Sequence, residues 1–235
     1  MWVTGGTRGI GLAVSRSLVA AGARVVLTGR DAAVAAEVAA SLTADHPSGD
    51  AVGVAADVRD PASLRAAVAV AGERFGRLDA LIANAGVGRM APIQDLSDDD
   101  WHEVIDTNLT GAYHSVRAAR DALVASGGTI VTIGSLAGAH AFAGGAAYNA
   151  SKFGLVGFTE AIMHDLRDLG VRVATVMPGS VATGFSRRGG GADDAWKLQA
   201  EDVAEAVLFV LRNPGRALPS RIELRPTQRR PAGEP

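Results

Sequence analysis

The chain of 235 residues is 48% hydrophobic and carries a formal net charge of −2. This length supports one sizeable core, so we expect a single domain, and the near-neutral charge provides no basic surface for nucleic acid or an anionic membrane. The absence of cysteine excludes disulfides and thiolate metal sites and suits a reducing cytosol, so we expect a cytoplasmic protein. No metal site is expected, because the histidines lack close ligand spacing. We also expect no membrane association, since no apolar run is long enough for a span.

Short β-branched runs alternate with longer helical patterns along the sequence. Strands are predicted at residues 1–4, 24–28, 51–55, 80–83, 129–133 and 171–177, with a final edge strand within 220–227. Helices are predicted at roughly 11–21, 31–43, 61–75, 98–124, 147–169 and 201–212. Both faces of the strands are apolar, which is typical of a parallel sheet covered by helices on each side. The predicted fold is a single-domain α/β doubly wound parallel sheet, Rossmann-like, over residues 1–225, followed by a loose tail at 226–235.

Three predicted helices begin at capping residues. Asp31 precedes the second helix, Asp60 and Pro61 open the third, and Ser97 precedes the acidic first turn of the fourth. The first strand is less regular, because it has only residues 1–4 available although strands usually need about five. Either a neighbouring segment compensates or the sequence begins a few residues late, and both interpretations stay open.

A glycine-rich turn at residues 4–11 lies between the first strand and the first helix. Glycines in such a turn let the backbone approach a pyrophosphate at the helix N-terminus, although an ordinary tight turn is the alternative. The residues of the turn expected to contact a dinucleotide are Gly5, Thr7, Arg8, Gly9, Ile10 and Gly11.

With the motifs that follow it, this turn resembles the short-chain dehydrogenase/reductase family, in order and over almost the whole chain. The resemblance implies cofactor contacts from Asp57 and Val58 at the adenine, from Asn84, Ala85 and Gly86 after the fourth strand, and from Pro178, Gly179, Val181 and Thr183 at the nicotinamide. It implies a catalytic set of Asn108, Ser135, Tyr148 and Lys152, of which Tyr148 and Lys152 also contact the cofactor. The chain departs from the family at its short first strand and at Ala83, where a second asparagine is common.

The cofactor expected from these residues is NADP(H) rather than NAD(H). NAD is usually selected by an acid at the end of the second strand, which here corresponds to Gly29, and Arg30 follows it. Arg8 resembles a second basic residue of NADP-preferring members, and two guanidinium groups suit a 2′-phosphate. Asp31 is better placed as a helix cap than as the NAD-selecting acid. The alternative is that both arginines are ordinary solvated residues.

Tyr148 and Lys152 are four residues apart on one predicted helix and therefore share a face. A phenol is a poor acid/base at neutral pH, so the pKa of Tyr148 must fall, which needs about 4 kcal/mol. One ammonium about 4 Å away supplies about that much, so Lys152 is expected to lower it, helped by an oxidised nicotinamide. Ser135 is expected to donate a hydrogen bond to the substrate oxygen. The resemblance implies that Asn108 holds a water that relays protons to Lys152.

The predicted activity is interconversion of a carbonyl and an alcohol, with Tyr148 as general acid/base and a small molecule as substrate. Two alternatives remain, a 3-oxoacyl-carrier-protein reductase and a non-catalytic NADP-binding sensor or scaffold. The carboxyl end at 220–227 departs from the glycine-rich ending common among acyl-carrier-protein reductases and resembles members that act on small hydroxy acids or varied carbonyls, which leaves the substrate open. Residues 186–191 are expected to cover the substrate, with Arg187 and Arg188 either attracting an acidic substrate or solvated. His140 either lines the substrate pocket or lies in an exposed loop. The resemblance also implies a homodimer or homotetramer through the helices at 98–124 and 147–169.

Overall fold

The computed structural model describes residues 1–185, 194–213 and 215–228. Seven strands are present in that part of the chain: β1 (Trp2–Val3), β2 (Arg24–Gly29), β3 (Asp50–Ala55), β4 (Ala80–Ala83), β5 (Thr129–Ile133), β6 (Arg172–Pro178) and β7 (Arg221–Leu224). The α-helices are α1 (Gly9–Ala20), α2 (Ala32–Asp45), α3 (Pro61–Phe75), α4 (Asp98–Ile105), α5 (Gly111–Ser126), α6 (Ala146–Arg167) and α7 (Ala200–Arg212).

The strands form one sheet in the order β3-β2-β1-β4-β5-β6-β7, and every neighbouring pair is parallel. Residues of α1, α2 and α7 pack on one face of the sheet, and residues of α3, α5 and α6 pack on the other. The predicted doubly wound α/β fold is therefore confirmed. Because all strands are parallel, their carboxyl ends meet at one edge, where ligands bind in such folds.

The short first strand is paired with a neighbour on each side. β1 pairs with β2 on one side and β4 on the other, so both its edges are covered. The backbone ladder continues past its ends, since Val26 N–H donates to the Met1 carbonyl and Thr4 N–H to the Ile82 carbonyl. Trp2 and Val3 are fully buried between the two helical layers.

The three predicted helix caps are confirmed. Asp31 accepts hydrogen bonds from the backbone of Ala33 and Val34, and Asp60 accepts from residues 62 and 63. Ser97 accepts from the Asp100 backbone at the start of α4. Each carboxylate or hydroxyl satisfies backbone N–H groups that have no partner within the helix.

The helix predicted at 98–124 is in fact three segments. A π-helical turn at Asp106–Thr110 separates α4 from α5, and Gly111 N–H reaches back five residues to the Asp106 carbonyl. Asn108 lies inside this turn and is 1% exposed. Such wide turns occur frequently at functional sites. No helix within residues 1–185, 194–213 and 215–228 is long and apolar enough to cross a bilayer. Of the predicted tail, only residues 226–228 belong to the described structure.

Candidate active site

The glycine-rich turn has the backbone geometry that its sequence predicts. Gly5 and Gly9 have φ angles of 63° and 54°, a region that other residues rarely adopt. A Cβ atom on Gly11 would overlap the carbonyl oxygen of Gly5, so the first turn of α1 lies directly against the loop. The turn therefore presents bare backbone at the N-terminus of a helix, which fits a dinucleotide pyrophosphate.

The predicted cofactor residues after β4 lie beside this turn. The Asn84 amide donates to the carbonyls of Thr4 at 2.8 Å and Gly5 at 3.2 Å. The Thr4 hydroxyl in turn accepts from the backbone N–H groups of Asn84 and Ala85. Ala83, where the family often has asparagine, is a buried residue of β4. Thr4 and Asn84 thus lock the ends of β1 and β4 together.

The predicted nicotinamide segment also reaches the glycine turn. A Cβ atom on Gly9 would lie 3.5 Å from the Thr183 side chain, which places residues 178–183 across the turn. Val181 is bridged to Leu198, and Gly179 N–H donates to the Leu224 carbonyl at 2.8 Å. The structure thus brings the three predicted cofactor segments, 5–11, 84–86 and 178–183, to one edge of the sheet.

Charged residues lie at the expected adenosine end of the cofactor site. Arg8 and Arg30 are exposed, and Arg30 contributes to lowering the pKa of the Asp57 carboxyl. The first cause of that lowered pKa is Arg59, which binds Asp57 through its guanidinium, with a shortest distance of 2.6 Å. Asp57 and Val58, the expected adenine contacts, lie just beyond β3, with Ala56 between them and the end of the strand. Sequence reasoning missed Arg59, although its position two residues after Asp57 was a signal for such an ion pair.

Position 29, which the family resemblance aligns with the acid of NAD-preferring members, is glycine and lies against Thr7. A Cβ atom on Gly29 would lie 2.7 Å from the Thr7 side chain, so a larger residue there requires Thr7 to shift. The Asp31 carboxylate accepts hydrogen bonds from the first turn of α2, so it serves as a helix cap and not as the acid that selects NAD. The pocket at the end of β2 therefore has arginine and no acid at the decisive positions.

Ser135, Tyr148 and Lys152 come together at the carboxyl end of β5. The Ser135 side chain is near enough to the Tyr148 phenol to lower its pKa, and the Lys152 ammonium lies 5.9 Å from the centre of the Tyr148 ring. Lys152 is 5% exposed and donates to the Ile133 carbonyl at 2.8 Å. Ser135 begins a short 3-10 turn and accepts a hydrogen bond from Ala137 N–H at 3.1 Å. Its own hydroxyl proton is thereby directed elsewhere, toward Tyr148 or a substrate.

The electrostatics of this group differ from the sequence-based expectation. Burial raises the pKa of the Tyr148 phenol, and the Ser135 side chain only opposes that rise. Burial also lowers the pKa of the Lys152 ammonium to about 8. At 5.9 Å from the ring centre, Lys152 does not produce the expected fall by itself.

Asn108 is held in place by three hydrogen bonds with protein groups. Its amide nitrogen donates to the Val87 carbonyl and the Ser151 hydroxyl, each at 3.0 Å, and its oxygen accepts from Val87 N–H at 2.8 Å. Both amide donors and one oxygen lone pair are therefore engaged by protein groups. The side chain has one acceptor site left for a water, and its main contribution is to fix the loop after β4 against α6.

Phe185 and Asn149 shape the site without having been predicted, and the structure chooses between the two interpretations of His140. Phe185 lies with its ring centre 5.8 Å from that of Tyr148 and against Gly88. Asn149 donates to the carbonyls of Ala137 and His140, which folds the loop before α6 over the start of that helix. His140 is exposed and contacts Arg225. The predicted substrate cover at residues 186–191, with Arg187 and Arg188, lies outside the described residues.

This arrangement can be compared with known proteins. A family model described as short chain dehydrogenase matches residues 1–190. The chain belongs to the short-chain dehydrogenase family. It is accordingly an oxidoreductase acting on CH–OH or C=O groups. The resemblance inferred from the sequence is thereby confirmed.

Relatives in this family differ in how much of the chain they match. The 3-oxoacyl-[acyl-carrier-protein] reductase of Salmonella typhimurium is 35% identical over 79% of this chain and 74% of its own length. Sulfoacetaldehyde reductase 2 of Chromohalobacter salexigens is also 35% identical, over 96% of this chain and 93% of its own. A short-chain dehydrogenase from Burkholderia cenocepacia J2315, solved in complex with NADP, has a TM-score of 0.86 and 35% identity, covering 95% of this chain and 94% of that one.

Proposed function

We propose that this chain interconverts a carbonyl and an alcohol with NADP(H), with Tyr148 as the general acid/base. The observation that carries the proposal is the buried Lys152 ammonium 5.9 Å from the Tyr148 ring, with Ser135 beside that phenol, at the sheet edge that also holds the glycine turn. A side-chain set of this kind matches the demands of proton transfer to a developing alkoxide.

The residues divide the chemistry between them. A bound nicotinamide supplies or accepts the hydride. Ser135 donates a hydrogen bond to the substrate oxygen, which orients the carbonyl and stabilises the charge that develops on it. Tyr148 gives its proton to that oxygen during reduction and takes it back during oxidation. Lys152, fixed by the Ile133 carbonyl, favours the phenolate form of Tyr148.

NADP(H) is proposed over NAD(H) because of the residues at the end of β2. Position 29 is glycine packed against the Thr7 side chain, so it carries no acid, and Arg30 follows. Arg8 projects from the glycine turn as a second exposed guanidinium. Two such groups suit bidentate binding of a 2′-phosphate. The Burkholderia relative that was solved with NADP supports the same choice.

Two other functions compete with this proposal. A 3-oxoacyl-carrier-protein reductase is favoured by the Salmonella relative, which matches 79% of this chain. The sulfoacetaldehyde reductase matches 96% of the chain and so includes its carboxyl end, which favours a small carbonyl substrate. A non-catalytic NADP-binding sensor is the third function, and it gives no reason for the buried Lys152 beside Tyr148.

The experiment that tests the proposal measures NADPH and NADH oxidation against ketones, β-keto esters, aldehydes and acyl-thioesters. Turnover of at least one small carbonyl with NADPH is expected. Turnover of acyl-thioesters alone would favour the carrier-protein reductase. Tight NADPH binding without turnover of any compound in the panel would favour the sensor.

We also propose that the protein assembles as a homodimer or homotetramer through α4, α5 and α6. Trp101, Tyr113 and Phe153 lie on these three helices and are 36%, 43% and 46% exposed. Large aromatic side chains on neighbouring helices are typical of the core of an interface between subunits.

A further inference from the structure

The carboxyl end of β7 lies against the turn that carries the catalytic serine. The Arg225 guanidinium, one residue past β7, lies 3.4 Å from the His140 imidazole. A Cβ atom on Gly179 would lie 3.2 Å from both the Leu136 and Pro226 side chains. Leu136 follows Ser135 directly, and His140 N–H donates to its carbonyl at 2.9 Å. The residues after β7 therefore border the same turn as Ser135.

The register of the sheet gives the separation between Arg225 and the reaction centre. Ile133 of β5 is paired with Val176 of β6, and Pro178 of β6 with Leu224 of β7. Ser135 is two residues beyond Ile133, so it lies level with Leu224, and Arg225 is one residue further out. Two strand spacings amount to roughly 10 Å between the backbones. The long side chain of Arg225 can span most of that distance toward a small molecule held by Ser135.

Arg225 also lies on the α6 side of the sheet, the side that holds Tyr148. Arg221, four residues earlier, contacts Glu160 of α6 at 3.9 Å, and Arg221, Glu223 and Arg225 share one face of the strand. A helix that crosses between parallel strands runs back along the sheet, so Tyr148 lies nearer the carboxyl edge than Glu160 does. Arg225 is displaced from Arg221 toward that same edge.

The charge of this cluster suits an anion. Glu223 binds both Arg221 and Arg225 at 3.0 Å, so one carboxylate is shared by two guanidinium groups. The only other carboxylate that the described residues place near them is Glu160, on the Arg221 side at 3.9 Å. Arg225 is 56% exposed and keeps donors available for a second partner.

We propose that the substrate is a small carbonyl compound carrying a carboxylate or sulfonate, and that Arg225, assisted by His140, binds this acid group. This inference rests on the proposed function, because it places the substrate carbonyl at Ser135 and Tyr148. A planar guanidinium binds either acid in a bidentate way. The phosphate of a pantetheine arm lies much further from its thioester carbonyl than two strand spacings, so it does not fit this site.

The experiment compares two aldehydes that differ only in charge, succinic semialdehyde and its methyl ester, with NADPH as reductant. The readout is the ratio of kcat/KM for the acid to kcat/KM for the ester. Arg225→Met lowers this ratio at least about tenfold, through KM of the acid, because a charged hydrogen bond is lost. Arg225→Lys restores part of it. Arg221→Met removes the same charge from the same strand and leaves the ratio within about twofold.

A substitution at Glu223 is expected to change the acid-to-ester ratio in the direction opposite to Arg225→Met. Its carboxylate competes with the substrate acid for Arg225, so Glu223→Gln raises the acid-to-ester ratio. A general loss of folding or of catalysis lowers kcat/KM for the acid and for the ester together, so the ratio stays unchanged. Equal ratios in the wild type, Arg225→Met and Arg221→Met would overturn the proposal.

A binding measurement separates this inference from the proposed function. Calorimetry with 4-hydroxybutanoate and the enzyme–NADPH complex requires no turnover, and butan-1-ol is the uncharged control. The wild type and Arg221→Met bind the acid in preference to the alcohol, whereas Arg225→Met loses that preference. Absence of turnover with the preference intact would refute the proposed function alone. Absence of the preference in the wild type would refute the anion site.

Discussion

At the scale of single residues, Lys152 is a charged group buried inside the protein. It is 5% exposed, and burial lowers the pKa of its ammonium to about 8 from an ordinary value of 10.5. The folded protein therefore binds the Lys152 proton less tightly than the unfolded chain does. Burying the charged Lys152 therefore lowers the free energy of unfolding. This loss of stability is fully present below pH 8 and disappears as pH rises toward 10.5.

Lys152→Met should therefore stabilise the protein while removing its activity. At neutral pH the gain in unfolding free energy is expected to be about 3 kcal/mol at most, from 1.36 kcal/mol per pKa unit. Thermal unfolding at pH 7 and pH 10 checks it, and the gain in Tm should be smaller at pH 10. A variant less stable than the wild type at pH 7 would show that the Ile133 hydrogen bond outweighs the burial cost.

Arg8 and Arg30 are expected to select the cofactor. The double change Arg8→Ala and Arg30→Ala should weaken NADPH binding by roughly 10- to 100-fold, because charged hydrogen bonds to the 2′-phosphate are lost. NADH has no such phosphate, so its affinity should change little. Fluorescence titration with both cofactors measures this. Equal weakening for NADPH and NADH would contradict the selection mechanism.

At the scale of secondary structure elements, the caps show how far local sequence rules extend. Asp31, Asp60 and Ser97 were identified from their residue type and position, and each accepts backbone hydrogen bonds at a helix start. These contacts involve residues two or three apart, so they can be read from the sequence. The π-helical turn at Asp106–Thr110 could not, because Asn108 is placed by Val87 and Ser151, which are distant in sequence.

Asp31→Ala tests the assignment of this residue as a cap. Losing its bonds to Ala33 and Val34 N–H should destabilise the protein by about 1 kcal/mol. The ratio of NADPH to NADH affinity should stay the same. Asp60→Ala is the matched control, since it removes the equivalent cap from α3. A marked loss of NADH affinity in Asp31→Ala alone would identify Asp31 as a ribose ligand instead.

At the scale of the whole molecule, alternating strand and helix patterns were enough to predict the doubly wound sheet. The order of motifs also predicted that the candidate site residues lie together, because parallel strands bring their carboxyl ends to one edge. The pKa values of Tyr148 and Lys152 were beyond prediction from spacing, since they depend on burial by many segments. Contacts between residues far apart in sequence, such as Arg225 with His140, could not be predicted either, because they depend on how distant segments pack together.

The proposed assembly through α4, α5 and α6 leads to a prediction at this scale. Tyr113→Glu combined with Phe153→Glu should dissociate the protein, because two charges would be buried at the interface without partners. Light scattering at micromolar concentration measures the mass. Val34→Glu, at an exposed position on α2, is the control and should leave the mass unchanged. A monomeric wild type would contradict the assembly.

The measurement that tests the central claim most directly compares the wild type with Tyr148→Phe in the reduction of a carbonyl by NADPH. The phenylalanine variant keeps the ring packed against Phe185 but has no proton to transfer. We predict a loss in kcat of roughly 100- to 10,000-fold, with NADPH affinity nearly unchanged. A variant that keeps most of its turnover would show that another group supplies the proton, and that Tyr148 is not the general acid.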